Sequence, residues 1–141
     1  MPASSKRILV VDGDEVSRQA VGDSFRERGW ETHFAHDVRS ATDVAIKVQP
    51  HVILTELSVT GATEYHFLRP FRSAVEHDVV IIGATRVPQG EYDQAMAAGF
   101  DAIFEKPIDV AQIDQSIGVV LPGDTADERR ATIKMQRLSR S

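Results

Sequence analysis

The sequence predicts an α/β protein built on a doubly wound sheet of five parallel strands, and two observations support this class. Short apolar runs alternate five times with segments of helical period. The runs are rich in Val, Ile, Leu or Phe, which is typical of strands that are buried on both faces of a parallel sheet. With 141 residues, the chain fits a single domain.

The five predicted strands are short enough to be central strands of one sheet. They are Arg7 to Val11, Glu31 to Ala35, Val52 to Thr55, Val79 to Gly83 and Asp101 to Phe104. Several of them end in a polar or small residue, so we expect chemically active side chains at the carboxyl ends of the strands.

The predicted helices fill the intervals between these strands. They run from about Glu15 to Arg28, Val38 to Val48, Glu64 to Val75, Glu91 to Ala98 and Val110 to Leu121. Asp14 and Asp109 are predicted N-caps, and Gly29 is the predicted end of the first helix, whose buried face should include Val16, Ala20 and Phe25. Pro70 lies within the third helix, so a kink or a shortened helix is expected there.

The predicted domain spans residues 7–121 and ends before Pro122-Gly123. Residues 1–6 form a short lead that is expected to be disordered, and residues 122–141 form a tail for which a partial helix remains an alternative. The tail is basic, whereas the domain is acidic: residues 1–123 contain 11 Lys and Arg against 18 Asp and Glu, and residues 124–141 contain 5 against 3. An acidic domain argues against a nucleic-acid partner, because phosphate contacts need clustered cations.

The chain has no cysteine, which excludes disulfides, thiolate metal sites and cysteine nucleophiles. No apolar stretch near the amino end is long enough for a signal peptide or a membrane span. We therefore expect a cytoplasmic protein that has no membrane partner.

Polar residues follow three of the predicted strands. Asp12 comes after the first strand, Glu56 after the third and Lys106 after the fifth, while Ala84 and Thr85 follow the fourth. The carboxyl ends of parallel strands meet at one edge of the sheet, where a crevice opens at the switch in strand order. These side chains are therefore predicted to form one cluster.

From about Lys6 to Val120, the sequence resembles the receiver domain of two-component response regulators. The best-matching stretch runs from Ala95 to Pro107 and reads AMAAGFDAIFEKP. The resemblance implies a flavodoxin-like fold, a cis bond between Lys106 and Pro107, and a role for Lys106 in neutralising a phosphoryl group.

The positions that carry the family's chemistry are altered in this sequence. Glu56, one methylene longer than aspartate, stands at the phosphoacceptor position, and Gly13 replaces the second acidic residue after the first strand. Counting back from Lys106 without a gap places Ala84 at the family's Thr/Ser position, while a shift of one residue would place Thr85 there. The resemblance thus implies a degenerate phosphoacceptor pocket.

This pattern predicts a non-enzymatic pseudo-receiver that acts through protein binding. The predicted partner is a histidine kinase, another regulator, an output protein or a second copy of the chain. The family's docking face corresponds to about residues 91–120, and within it Ile103, Phe104 and Pro107 are the candidate contact residues. No cofactor is expected and Mg²⁺ binding should be weak or absent, because with Gly13 in place of a carboxylate the charges of Asp12, Glu56 and Lys106 sum to about −1. Glu56 is instead expected to reach Lys106 in a direct ion pair.

Two other functions fit the same residues. One is a genuine receiver of a phosphorelay, in which Glu56 or Asp14 accepts phosphate with Mg²⁺. The other is a sensor domain that binds a small molecule in the crevice at the strand ends.

Overall fold

The computed structural model of the chain describes residues 6–57, 66–86 and 88–118. Five strands alternate with five helices in this part of the chain. The strands are β1 (Arg7–Val11), β2 (Glu31–Ala35), β3 (Val52–Glu56), β4 (Val80–Thr85) and β5 (Ala102–Glu105). The helices are α1 (Glu15–Glu27), α2 (Val38–Val48), α3 (Leu68–Ala74), α4 (Pro88–Ala98) and α5 (Val110–Gly118).

The strands form one parallel sheet in the order β2-β1-β3-β4-β5. The predicted α/β class, with a doubly wound five-stranded sheet, is therefore confirmed. No helix of the described residues is long and apolar enough to cross a membrane.

Three strands run further at their carboxyl ends than predicted: β3, β4 and β5, the last of which ends at Glu105. β3 continues to Glu56, which pairs in register with Ala84, and β4 continues to Thr85, which pairs with Glu105. Ladder pairing with neighbouring strands extends them past their apolar runs. As a result, Glu56 and Ala84 lie within the sheet, and their side chains are held more firmly than loop side chains would be.

The helix ends agree with the predicted caps. Asp14 Oδ2 accepts a hydrogen bond of 2.9 Å from the Ser17 N–H, and Asp109 Oδ1 accepts one of 3.2 Å from the Gln112 N–H. Gly29, with a φ of 92°, follows α1 in a backbone conformation that favours glycine.

Pro70 shortens α3 rather than kinking it. The helix begins at Leu68, so Pro70 lies in the first turn, where a backbone N–H has no partner within the helix. The predicted residues 64 and 65 lie outside the described part of the chain. The same is true of residues 1–5, of the predicted end of α5 beyond Gly118, of the boundary at Pro122-Gly123 and of the tail.

Two apolar clusters cover the two faces of the sheet. One packs Leu9, Ile53 and Ile81 under α2, α3 and α4, and the other packs Ile8, Val10 and Ile82 under α1 and α5. Phe25 is fully buried in the second cluster, as predicted, but Val16 is 78% exposed and Ala20 is also exposed, so the predicted burial of these two residues is wrong. Val16 lies at the first turn of α1, on the side turned away from the sheet.

Candidate functional site

The carboxyl edge of the sheet brings Asp12, Glu56 and Lys106 together. Asp12 immediately follows β1, Glu56 ends β3, and Lys106 follows β5. The Lys106 N–H donates a hydrogen bond of 2.8 Å to the Thr85 carbonyl, which extends the β4–β5 pairing by one residue and fixes the start of the lysine side chain. The cluster predicted from the strand ends is thus present in the structure.

The ammonium group of Lys106 lies between the two carboxyl groups. Lys106 Nζ is 3.2 Å from Asp12 Oδ2 and 3.3 Å from Glu56 Oε2. The side chains of Lys106 and Asp12 are only 9% and 8% exposed, and that of Glu56 is 24% exposed. The expected Glu56–Lys106 contact exists, but Lys106 also contacts Asp12. One ammonium group is therefore the counter-charge of two carboxyl groups.

Glu56 and Asp12 also contact each other through a hydrogen bond between their side chains. Burial raises the pKa of Glu56, and the hydrogen bond to Asp12 and the charge of Asp12 raise it further, while Lys106 acts in the opposite direction. For Asp12, burial alone would raise the pKa, but hydrogen bonds from Glu56 and from the Asp14 N–H, together with Lys106, hold it below its ordinary value. The two carboxyl groups therefore differ in acidity, and as the pH falls Glu56 takes up a proton before Asp12 does.

Backbone and helix groups hold Asp12 in place. The Asp14 N–H donates a hydrogen bond of 2.8 Å to Asp12 Oδ1, and Arg18 Nη1 donates one of 2.8 Å to the Asp12 carbonyl oxygen. Arg18 is not among the site residues predicted from the sequence, although its position one turn into α1, four residues after the N-cap Asp14, was a usable signal.

Of the other predicted pocket positions, Gly13, Ala84 and Thr85, none places a polar side chain in the cavity. Gly13 is exposed and has no side chain, and Ala84 lies beside Glu56 on the neighbouring strand. Consecutive strand residues point to opposite faces, so the Thr85 side chain lies on the other side of the sheet from Ala84. Of these two residues, only Ala84 lines the cavity that adjoins the cluster.

The acidic groups of this cluster are a poor set of ligands for Mg²⁺. The ion prefers near-octahedral oxygen coordination, and here two carboxyl groups already share an ammonium group. Within residues 6–57, 66–86 and 88–118, no group of three or more His, Cys, Asp or Glu side chains is arranged to hold a metal ion. The residues present do not fit the metal.

Two of the three predicted contact residues are not on the surface. Ile103 and Phe104 are each only 2% exposed, so their assignment to a docking face is wrong. β5 is an edge strand, but Ile103 packs in the cluster under α4 and Phe104 in the cluster under α5. Pro107 is exposed, and its bond to Lys106 is cis, as the resemblance implied.

The raised pKa of Glu56 gives a testable pH dependence. A carboxyl group whose pKa is raised on folding binds its proton more tightly in the folded state, so its stabilising contribution is lost as the pH rises from its ordinary value of 4.5 through the raised value. The lowered pKa of Asp12 acts the other way, and its contribution is lost as the pH falls below 3.8 toward the lowered value. Glu56→Gln is expected to abolish only the loss of folding stability that occurs as the pH rises above 4.5.

Urea denaturation of both proteins between about pH 4 and about pH 8, in the presence of EDTA, measures this difference. Parallel stability curves for the natural protein and Glu56→Gln would contradict the assignment of the proton to Glu56.

Fold and site together define a doubly wound α/β domain with an acid–lysine cluster at the switch in strand order. Residues 8–118 match the family model of the response regulator receiver domain. The chain therefore belongs to the receiver domain family of two-component response regulators.

Individual relatives agree with this family. The sporulation initiation phosphotransferase F of Bacillus subtilis (strain 168) is 26% identical over 121 residues, which cover 84% of this chain and 95% of that protein. The structure of the chemotaxis response regulator CheY4 of Vibrio cholerae matches with a TM-score of 0.72 at 24% identity, covering 84% of this chain and 100% of that one.

A third similar protein is a receiver domain whose crystal structure contains a magnesium ion. The receiver domain of the sensor histidine kinase PA1611 from Pseudomonas aeruginosa PAO1, with a magnesium ion coordinated in its active site cleft, matches with a TM-score of 0.69 at 23% identity. The match covers 79% of this chain and 93% of that chain. At this level of identity, the two structural matches show the fold alone.

Proposed function

We propose that this receiver domain signals without being phosphorylated, as a non-enzymatic module that binds a protein partner in two-component-type signal transduction. The observation that carries the proposal is the position of Lys106 Nζ, 3.2 Å from Asp12 and 3.3 Å from Glu56. Lys106, the cation that would neutralise a phosphoryl group, is thus already paired with two carboxyl groups.

Glu56 is a weak candidate for the nucleophile. Attack on phosphorus needs an ionised carboxylate, whereas the raised pKa of Glu56 favours its protonated form. The extra methylene also carries the carboxyl group toward Asp12 and Lys106, into the region that an incoming phosphoryl group would have to occupy.

Among the described residues, the groups beside Glu56 are also poorly suited to support phosphoryl transfer. Asp12 uses Oδ1 to accept the Asp14 N–H and Oδ2 to contact Lys106, which leaves it poorly suited to hold Mg²⁺. Gly13 offers no second carboxylate, and Ala84 offers no hydroxyl at the position beside Glu56. The domain thus works without Mg²⁺.

The same contacts lock the domain in one conformation. Lys106 ties the loop after β5 to the ends of β1 and β3 through two buried ion pairs, which is the connection that a phosphoryl group and its metal would otherwise make. The partner is therefore a kinase, a second regulator, an output protein or another copy of the chain that recognises this fixed form in the cytoplasm.

The natural protein is expected to show no phosphoryl adduct after incubation with acetyl phosphate and Mg²⁺, because Glu56 is paired with Lys106 and its raised pKa makes it less readily ionised than an ordinary glutamate. Intact-mass spectrometry measures the adduct directly, and a receiver domain known to react with acetyl phosphate serves as the positive control. A Mg²⁺-dependent adduct on Glu56 or Asp14 would overturn the proposal in favour of a genuine phosphorelay receiver.

A further inference from the structure

The amino edge of the sheet, at the opposite end of the strands from the acid–lysine cluster, has an imidazole ring among its backbone contacts. His51 lies directly before β3 and beside Arg7, the first residue of β1. The His51 N–H donates a hydrogen bond of 2.9 Å to the Arg7 carbonyl, and the Arg7 N–H donates one of 3.0 Å to Nδ1 of the His51 ring. A side-chain nitrogen is therefore the acceptor for the first N–H of β1.

The carbonyl groups just before His51 have other donors. Gln49 has a φ of 54°, and its carbonyl accepts hydrogen bonds of 3.1 Å and 2.8 Å from Nε and Nη2 of Arg7. The Pro50 carbonyl accepts one of 2.9 Å from Nε2 of His77. Because the chain turns here and both carbonyls are bonded elsewhere, the Arg7 N–H is bonded to the imidazole instead.

This hydrogen bond requires one protonation state of His51. An imidazole nitrogen accepts a hydrogen bond only when it carries no proton, so the His51 ring must be neutral, with its proton on Nε2. A second proton would bind to Nδ1 and turn the acceptor into a donor that faces the Arg7 N–H. The contact is thus made by the neutral ring and lost by the protonated one.

The groups around His51 also disfavour a positive charge on its ring. Burial lowers the pKa of His51, and Arg7 on β1 and His77 after α3 lower it further, while Glu31 on β2 acts in the opposite direction. The His77 ring centre lies 5.3 Å from that of His51. Glu31 also contacts His33 Nε2, at 2.8 Å. Cationic groups and burial together therefore oppose protonation of His51.

Arg7 connects this edge of the sheet to two helices. Its guanidinium donates hydrogen bonds to the Val48 and Gln49 carbonyls at the carboxyl end of α2. Gln49 Nε2 in turn donates one of 2.9 Å to the Ala74 carbonyl at the end of α3. A protonated ring at position 51 would lose the Arg7 N–H and would also repel the guanidinium that makes these helix contacts.

We propose that His51 is a pH-operated latch at the amino edge of the sheet, which holds the start of β1 to β3 when its ring is neutral and releases it when the ring is protonated. The latch controls the local opening of β1 at Arg7. It lies at the other edge of the sheet from Asp12, Glu56 and Lys106, and it does not depend on whether the domain is phosphorylated.

NMR of the full chain tests the latch directly. The neutral His51 ring is expected to carry its proton on Nε2, which the ring ¹⁵N shifts distinguish from the other tautomer. Between about pH 7.5 and about pH 5, the hydrogen-exchange protection factor of the Arg7 amide is expected to fall about fivefold in step with the His51 titration, because one hydrogen bond is lost. A neutral ring with its proton on Nδ1, or Arg7 protection that does not follow the titration, would overturn the proposal.

His51→Asn separates the hydrogen bond from the charge, because Oδ1 of asparagine can replace Nδ1 of histidine as an acceptor but does not titrate. The Arg7 amide of this variant is expected to have the same protection factor at both ends of the pH range. His36→Asn is the matched control, since His36 is exposed and follows β2 at the carboxyl edge, and it should leave the pH response of Arg7 unchanged. If the Arg7 protection of His51→Asn falls as much as that of the natural protein, the response belongs to another group and the proposal is wrong.

Urea denaturation gives a second readout, in which the fluorescence of Trp30, the single tryptophan, reports unfolding. Because the pKa of His51 is lowered on folding, its contribution to stability is present above pH 6.5 and is lost as the pH falls below 6.5 toward the lowered value. The unfolding equilibrium constant of the natural protein, divided by that of His51→Asn, is expected to rise about fivefold from about pH 7.5 to about pH 5. The ratio removes the opposite contribution of Glu56, which both proteins share. A ratio that stays constant with pH would contradict the latch.

Discussion

A double variant, Gly13→Asp with Glu56→Asp, is expected to take up a phosphoryl group from acetyl phosphate in the presence of Mg²⁺, whereas the natural chain is not. The shorter side chain at position 56 withdraws the carboxyl group from Asp12 and Lys106, which frees Lys106 for an incoming phosphoryl group. The new carboxylate at position 13 supplies the oxygen ligand that the natural pocket lacks, and Mg²⁺ is bound through such carboxylates together with phosphate oxygens. Intact-mass spectrometry gives the fraction of protein modified.

Three variants serve as controls for this result. Gly13→Asp alone restores only the missing carboxylate, and Glu56→Asp alone restores only the shorter side chain. Each single variant should therefore react far less than the double variant. Glu31→Asp shortens an exposed glutamate at the start of β2 and should not react at all. A folded double variant that forms no adduct would contradict the view that positions 13 and 56 together account for the loss of chemistry.

Lys106→Met is expected to lower the free energy of unfolding by about 3 kcal/mol near neutral pH, because removing one partner leaves buried acidic groups without a counter-charge. Methionine keeps much of the length and the apolar part of the side chain, so the loss reports mainly on the charge. The cost should shrink as the pH falls, since Glu56 then keeps its proton and only Asp12 stays charged.

The matched control for this stability measurement is Lys47→Met, on the exposed side of α2, where the change should stay within about 0.5 kcal/mol. Urea denaturation of the natural protein and the two variants compares the free energies directly. Equal losses for Lys106→Met and Lys47→Met would mean that the acid–lysine cluster contributes little to the fold.

Several elements could be predicted from the sequence because their causes are local. The limits of β1, β2 and α2 agree with the prediction, since a short apolar run or a helical stripe is bounded there by a cap or a proline within a few residues. The limits of β3 and β4 could not be predicted in the same way. Their last residues are polar or small, and they are strand residues only because a neighbouring strand pairs with them.

Burial on the edge strand shows the same difference. The resemblance to a family placed Ile103 and Phe104 on a docking face, yet both side chains are buried under the flanking helices. A sequence pattern reports that a residue is apolar, but it does not report whether a helix lies over it. The position of α4 and α5 on the two faces of β5 decides that question.

The sequence by itself determined the fold class and the identity of the pocket residues, because strand–helix alternation and the positions of Asp12, Glu56 and Lys106 after their strands are read directly along the chain. Only the tertiary structure decided that Lys106 pairs with both Asp12 and Glu56 and that Glu56 donates a hydrogen bond to Asp12. Asp12 and Lys106 are 94 positions apart, and the register of the sheet brings them within 3.2 Å. Distances, burial and the pKa values that depend on them arise from such long-range packing.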